Sequence, residues 1–278
     1  MSVVPLGRRS TLVLTLASTA GLMMFVWPFL LVPDPGAGEV SPPFVFLALL
    51  PVVVLVVVVE LSEGGMDAKA LAMLGVLTAI NAALRGLGAG LAGIELVFFL
   101  LVLAGRVYGA GFGFVLGCTS LFASALLTSG VGPWLPYQML CSAWIGLGAG
   151  LLPRFFRGRP IRGRPEIVML VVYGIVCAYG FGLLMNLSSW PFILGIAVPG
   201  QTDTLAFVPG APLLENLHRF LVYTLLTSTG GWDTGRAITN SVAIVVLGPA
   251  VLATLRRAAR RASYGPIAGA DRRDVVVG

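Results

Sequence analysis

Eight residues between two strongly apolar stretches, Gly132-Pro133-Trp134-Leu135-Pro136-Tyr137-Gln138-Met139, hold the ingredients of a small-molecule contact surface. Pro133 and Pro136 fix the backbone and remove two amide donors, while Trp134, Tyr137 and Gln138 offer stacking faces and a side-chain amide. The same residue types sit at headgroup level in most membrane proteins, so an interfacial anchor is an equal reading of these eight residues alone. A second set lies at the ends of apolar runs: Asn81, Arg85, Glu95, Asn186 and Asn240, with Trp190 close to Asn186. Polar groups are costly in such places and therefore point to binding. Arg85 and Glu95 also read as a salt bridge closing a Gly-rich turn over 86–93, and the three asparagines as hydrogen bonds between helices.

A third pattern is structural. Ala68-x3-Ala72 and Gly75-x3-Ala79-x3-Ala83 place small residues along one helical face, where another helix of the same bundle or a partner protein approaches closely.

Other chemistry is hard to find. Cys118, Cys141 and Cys177 each lie inside an apolar run, with neither a CxxC pair nor a nearby histidine, and read as helix-packing residues rather than metal ligands. His218 is the single histidine and has no acid or nucleophile at catalytic spacing. No HExxH, GxSxG or intramembrane carboxylate pair occurs. Gly88-Ala-Gly90-Leu-Ala-Gly93 satisfies GxGxxG, yet no strand precedes it, so a dinucleotide site is rejected. Lys69, the single lysine, is not in a phosphate-cradling loop, and the chain cannot hydrolyse ATP by itself. The sequence reads as a non-enzyme without cofactor or metal.

The elements that must position these residues follow from composition. Hydrophobic residues make up 57% of the 278 and charged ones 11%, and the mean hydropathy is +0.95. These values define an all-α integral membrane protein. Apolar runs at 11–32, 43–60, 67–84, 93–108, 111–128, 136–152, 166–187 and 235–256 predict about eight transmembrane helices in one membrane domain. The segment 213–228, with Glu215, His218 and Arg219, is predicted to be an amphipathic surface helix rather than a ninth span. Arg8 and Arg9 precede the first run, which is long for a signal peptide and reads as a retained first span.

Orientation follows from the basic residues. With the N-terminus inside, 15 of the 18 lysines and arginines face the cytoplasm, and only Arg85, Arg219 and Arg236 lie outside. Both termini are then cytoplasmic in a multi-pass cell-membrane protein. The basic clusters at 154–164 and 256–261 face anionic headgroups, which accounts for the net charge of +6 without any nucleic-acid partner. In this topology every candidate binding residue falls on the outer side, and the long outer segment 188–234 reads as a lid or a passive loop.

Three stretches carry a family resemblance: Met73–Arg85 (MLGVLTAINAALR), Phe98–Gly109 (FFLLVLAGRVYG) and Gly132–Arg154. Over about 66–256 the chain resembles a substrate-binding S component of an energy-coupling factor vitamin transporter, and within that family the cobalamin-type branch, whose members carry similar Pro-Trp-x-Pro-x-Gln segments. The resemblance implies a six-helix binding domain at 65–262; the extra transmembrane pair at 1–64 and the long outer segment 188–234 exceed that six-helix body, and 263–278 reads as a flexible cytoplasmic tail. It implies vitamin capture from outside by Asn81, Arg85, Glu95, Trp134, Tyr137, Gln138, Asn186, Trp190 and Asn240. It also implies docking of the Ala68, Ala72, Gly75 and Ala79 face on a transmembrane coupling protein that works with two ATPases. A stand-alone permease or channel, and a membrane enzyme or assembly factor, are the competing readings.

Overall fold

The computed structural model describes residues 7–30, 43–62, 68–88, 93–192, 205–208 and 210–263. Almost all of them are helical. The helices are α1 (Arg8–Leu30), α2 (Pro43–Ser62), α3 (Ala68–Gly88), α4 (Val97–Tyr108), α5 (Ala110–Leu127), α6 (Leu135–Leu151), α7 (Arg164–Ser189), α8 (Leu213–Thr224), α9 (Thr234–Val246) and α10 (Gly248–Ser263). Among the described residues, four helices are long and apolar enough to cross a membrane, and a fifth crossing arises if the bent pair Leu213–Val246 and Gly248–Arg261 counts as one. The chain is thus an all-α membrane protein. For brevity, the end of the bundle bearing Glu95 is called outer and the end bearing Glu166 inner, after the charge distribution.

The centre is α4, whose twelve residues are all buried. At about 1.5 Å per residue it rises only about 18 Å. A helix enclosed by protein can be this short because its end groups meet protein side chains instead of headgroups. Glycine makes the enclosure tight. A Cβ on Gly113 of α5 would run into the backbone of Gly146 on α6, and one on Gly146 into Gly113. Gly117 faces Ser142 and Ala143 in the same way, Gly150 faces Ala110, and Gly105 of α4 faces Gly146. The four-residue spacing of Gly113 with Gly117, and of Gly146 with Gly150, lets these backbones touch, the close approach that van der Waals packing in lipid rewards. One residue, Gly109 with φ 112°, joins α4 to α5, a conformation open to glycine and costly for any residue with a Cβ.

The N-terminal pair packs on this body. Trp144 of α6 donates its indole N–H to Ser18 Oγ at 2.9 Å, and Phe25 meets Tyr137 edge-on at 4.7 Å. Gly21 leaves room for Leu140 and Trp144.

The C-terminal third departs from expectation. Residues 213–228 do not form a separate surface helix: α8 continues through a π-helical stretch, Leu225–Asp233, into α9. The expected last span over 235–256 is broken, because α10 turns 65° away after Leu247. The cause is Pro249, which has no N–H and clashes with the preceding turn, so the chain restarts with proline in the first turn of α10. On α10, Leu252, Leu255 and Ala259 are buried, whereas Arg257, Arg260 and Arg261 are exposed.

The outer segment 188–234 is also more ordered than a loop. Trp190–Phe192 form a 3-10 turn, and α8 with the π stretch covers 213–233. Trp190 is fully buried, meets Phe207 edge-on at 5.4 Å and Phe220 at a tilt at 5.3 Å, and donates to Leu205 O at 2.8 Å. Residues 193–204, the centre of the expected lid, and the expected tail beyond 263 lie outside the described residues. Between α6 and α7, Phe155–Phe156 and Arg159–Pro160 pair as a small hairpin. Its turn residues, Arg157 and Gly158, both have positive φ, as the favoured two-residue hairpin turn requires.

Candidate functional site

A cavity of about 240 Å³ opens at the outer end between α3, α5 and the start of α9, lined by Arg85, Glu95, Arg236, Ser124, Thr128 and Trp232 together with Gly88, Gly93 and Ile94. Its position follows from local sequence. Gly93, with φ 82°, has no Cβ to strike Trp232 O and the Arg236 backbone, so the residues leading into α4 can press against α9. That contact brings Glu95 within reach of two guanidiniums.

The charges form an alternating chain. Arg236 Nε donates to Glu95 Oε2 at 2.8 Å and its other arm to Asp233 Oδ1 at 3.0 Å. Asp233 is 1% exposed, accepts from Ser228 Oγ at 2.6 Å, and occupies space that a side chain on Gly182 would fill. Arg236 also lies over Phe181 and Phe98, 4.9 and 5.5 Å from the ring centroids, an arrangement that adds cation–π attraction in a desolvated place. Arg85 is held less firmly. It donates to Gln138 Oε1 at 2.8 Å, reaches Ser124 Oγ at 3.4 Å, and stands 3.7 Å from Glu95. Two acids therefore balance two arginines, and Arg85 is the cation least committed to protein partners.

The expected binding residues separate into two groups. Arg85, Glu95, Gln138 and Asn240 are brought together. Asn240 donates to Glu95 O at 2.7 Å and accepts from Phe99 N at 2.7 Å, so it clamps the N-terminus of α4 rather than facing the cavity. Asn81 lies one turn below Arg85, fully buried against Ser120. Trp134, Tyr137 and Trp190 do not form a common stacking platform. Trp134 is 49% exposed at the surface, Tyr137 is buried under Phe25 of α1, and Trp190 belongs to the aromatic cluster around Phe220. The N-terminal pair covers the face of α6 where the aromatic platform was expected. Asn186, near the C-terminus of α7, has a buried amide nitrogen without a partner. The centre of the Gly-rich turn, residues 89–92, lies outside the described residues.

Arg236 and Asp233, the strongest partners of the cluster, are not among the sequence candidates. Their i,i+3 spacing at the start of an apolar helix was a usable signal, obscured because the expected boundary between the outer segment 188–234 and the last span 235–256 falls between them. A second charge cluster at the inner end is also new. Arg106 (4% exposed) donates to Glu166 (1% exposed) at 2.8 Å and to the carbonyls of Leu152 and Pro153, each at 3.0 Å. Arg256 of α10 donates to both Glu166 oxygens at 2.6 and 2.7 Å. Burial, and then the Arg106 and Arg256 charges, depress the pKa of nearby Arg154 from the usual guanidinium value, with Glu166 opposing. Among the described residues no group of three or more histidine, cysteine, aspartate or glutamate side chains could hold a metal ion.

The face formed by Ala68, Ala72, Gly75 and Ala79 on α3 is exposed, and a Cβ added at Gly75 would meet nothing within 4 Å. No described helix of the bundle covers it. Comparison with protein-family models, with characterised proteins and with solved structures finds no match to this chain.

Proposed function

We propose that this protein is the substrate-binding subunit of an energy-coupling-factor-type importer, taking up a small vitamin-like molecule from the outside of the cell membrane. The observation that carries the reading is the charged cavity at the end of the bundle opposite the arginine-rich end. A pocket lined by two arginines and a glutamate suits ligand capture, and lipid alone gives it no purpose. Eight crossings with both termini cytoplasmic fit the charge distribution, with α2, α4 and α6 among them and α8 through α9 as the last; α10 then lies along the inner face. The exposed alanine and glycine face on α3 suits a helix of the transmembrane coupling protein, which two ATPases would drive.

Size narrows the substrate. The cavity of about 240 Å³ falls below the roughly 300–1,000 Å³ of drug-sized sites, which favours a ligand much smaller than cobalamin. The test is native mass spectrometry of the purified protein after exposure to a panel of water-soluble vitamins that includes cobalamin. A retained species of defined mass is expected. None retained by folded protein would refute the reading.

Two substitutions probe its parts. Arg85→Ala removes the least committed cation and is expected to weaken retention of that species at least tenfold, measured by ligand titration. Ala72→Leu places a bulky side chain on the docking face and is expected to reduce partner-driven uptake several-fold while leaving retention intact; joint loss of uptake and retention would sink the interface assignment.

A stand-alone permease is the second reading, favoured by the π-helical stretch at Leu225–Asp233 and the 65° bend after Leu247, since interrupted helices are common in secondary transporters. Uptake by proteoliposomes containing this chain alone would favour it over the binding subunit.

A further inference from the structure

Helices α3 and α5 meet along a line of polar pairs that starts at the cavity and runs inward. Arg85 reaches Ser124 at 3.4 Å, Asn81 reaches Ser120 at 3.0 Å, and Thr78 reaches Thr119 at 2.9 Å. Only the first pair lines the cavity. Asn81 is 0% exposed, and its Oδ1 has no hydrogen-bond partner. A carboxamide has two ends, and Ser120 answers one of them. Polar groups that merely tie helices together in a membrane satisfy one another, because an orphan has no water to turn to. Here the unmet end lies one helical turn, about 6 Å along the axis, below the Arg85 and Ser124 wall.

We propose that the binding site continues inward along the α3–α5 seam, and that its ligand is a small elongated molecule with an anionic head for Arg85 and a hydrogen-bonding group one turn deeper for Asn81. This rests on the reading of the chain as a ligand-binding protein and adds the shape and chemistry of what it binds. Arg85 is the cation whose hydrogen bonds go to neutral partners, Gln138 and Ser124, whereas Arg236 bonds two carboxylates and lies over two rings. Ser124 accepts from Arg85, and its hydroxyl proton is used in no hydrogen bond among the described residues, which leaves a second donor for the same anionic head. A carboxylate or sulfonate fits this pair. The Thr78–Thr119 pair closes the seam at its inner end, because Thr119 donates to Val115 O at 2.9 Å and can then accept the Thr78 hydroxyl proton, so both protons are used.

The experiment uses the full chain in lipid nanodiscs, with Cys177 replaced by alanine and Ser120→Cys or Asn81→Cys introduced. The probes are the anionic reagent 2-sulfonatoethyl methanethiosulfonate and its trimethylammonium counterpart, with modification read by intact-protein mass. Native Cys118 is the internal control: it lies two residues from Ser120 but is fully buried towards Met139 of α6. The expected result is modification at position 120 at least tenfold faster with the anionic reagent than with the cationic one, loss of that preference in Arg85→Gln, and no reaction at Cys118. Should Asn81→Cys fail to fold, Ser120→Cys, which changes one atom, carries the test. Reaction at position 120 no faster than at Cys118 would overturn the seam. A vitamin retained by protein with an unreactive seam would leave the binding reading standing without it; a reactive, anion-selective seam in protein that retains nothing from the panel would refute that reading and keep the seam.

Discussion

Glu166→Gln is expected to destabilise the protein by about 3–5 kcal/mol, the usual cost of removing one charge from a buried ion pair. Glutamine keeps the size and one acceptor oxygen, so packing is nearly unchanged and the loss reports the charge. Glu166 is the only carboxylate among the described residues that meets Arg106 and Arg256, and both depend on it. Without it two guanidiniums face each other across a nearly dry gap, with Arg154 adding a third positive charge nearby. The midpoint of thermal unfolding in detergent should fall by roughly 10 °C, taking about 2–4 °C per kcal/mol for a chain of this size. Because Arg256 is the ionic tie of α10 to the body, amide exchange over 250–263 should rise before global unfolding. Glu215→Gln is the matched control: its i,i+4 pair with Arg219 leaves the carboxylate 47% exposed, and such pairs contribute about 0.3–0.5 kcal/mol. Equal midpoints for the two variants would show that Glu166 is not a clamp.

The helical membrane class was legible because it depends on composition, and the long apolar runs became helices where they were expected. The C-terminal third was not, because Gly248-Pro249 breaks a run whose hydropathy is continuous; hydropathy sums see apolar side chains, whereas the break is a matter of one missing amide hydrogen. The π stretch was not legible either. Thr234 Oγ donates to Thr229 O at 2.6 Å, five residues back, a pairing that no apolar period announces. Glu215, His218 and Arg219 made 213–228 look like a surface helix because charges were weighed without the chain that follows them.

The candidate site was half legible for a related reason. Residues whose chemistry has no lipid-facing use, Arg85 and Glu95 above all, came together with Gln138. Aromatic residues, whose ring serves a core as well as a ligand, did not: Tyr137 and Trp190 were drawn into packing by Phe25 and Phe220. Spacing along one helix cannot reveal that α1 lies over α6. The inner clamp went unseen because Arg106 and Arg256 entered the sequence reading only as marks of orientation. Both were counted for the side of the membrane they face, and Glu166, their shared acceptor 60 and 90 residues away, entered no tally.

Gly146→Ala is expected to destabilise by about 3 kcal/mol or more, the upper end of the range for overpacking a well-filled interior. A methyl group there meets the oxygen, carbon and Cα of Gly113, none of which can yield by changing rotamer. Gly105 of α4 presses on the carbonyl of the same residue, so relief by sliding α6 along α5 would disturb α4 as well. The helices must part, and every dispersion contact along the seam weakens with distance. Gly75→Ala is the opposite case. A Cβ there touches nothing, and alanine in an exposed helix interior is favoured over glycine by about 0.5–1 kcal/mol. Thermal unfolding of the two variants should therefore move in opposite directions from the parent, although each adds one methyl group to a glycine inside a helix. If Gly146→Ala unfolds at the parent temperature, the contact of α5 with α6 is looser than the backbone geometry requires. If Gly75→Ala is the one that falls, the small-residue face of α3 is filled by a neighbour in the folded protein, and its availability to a coupling partner is lost with it.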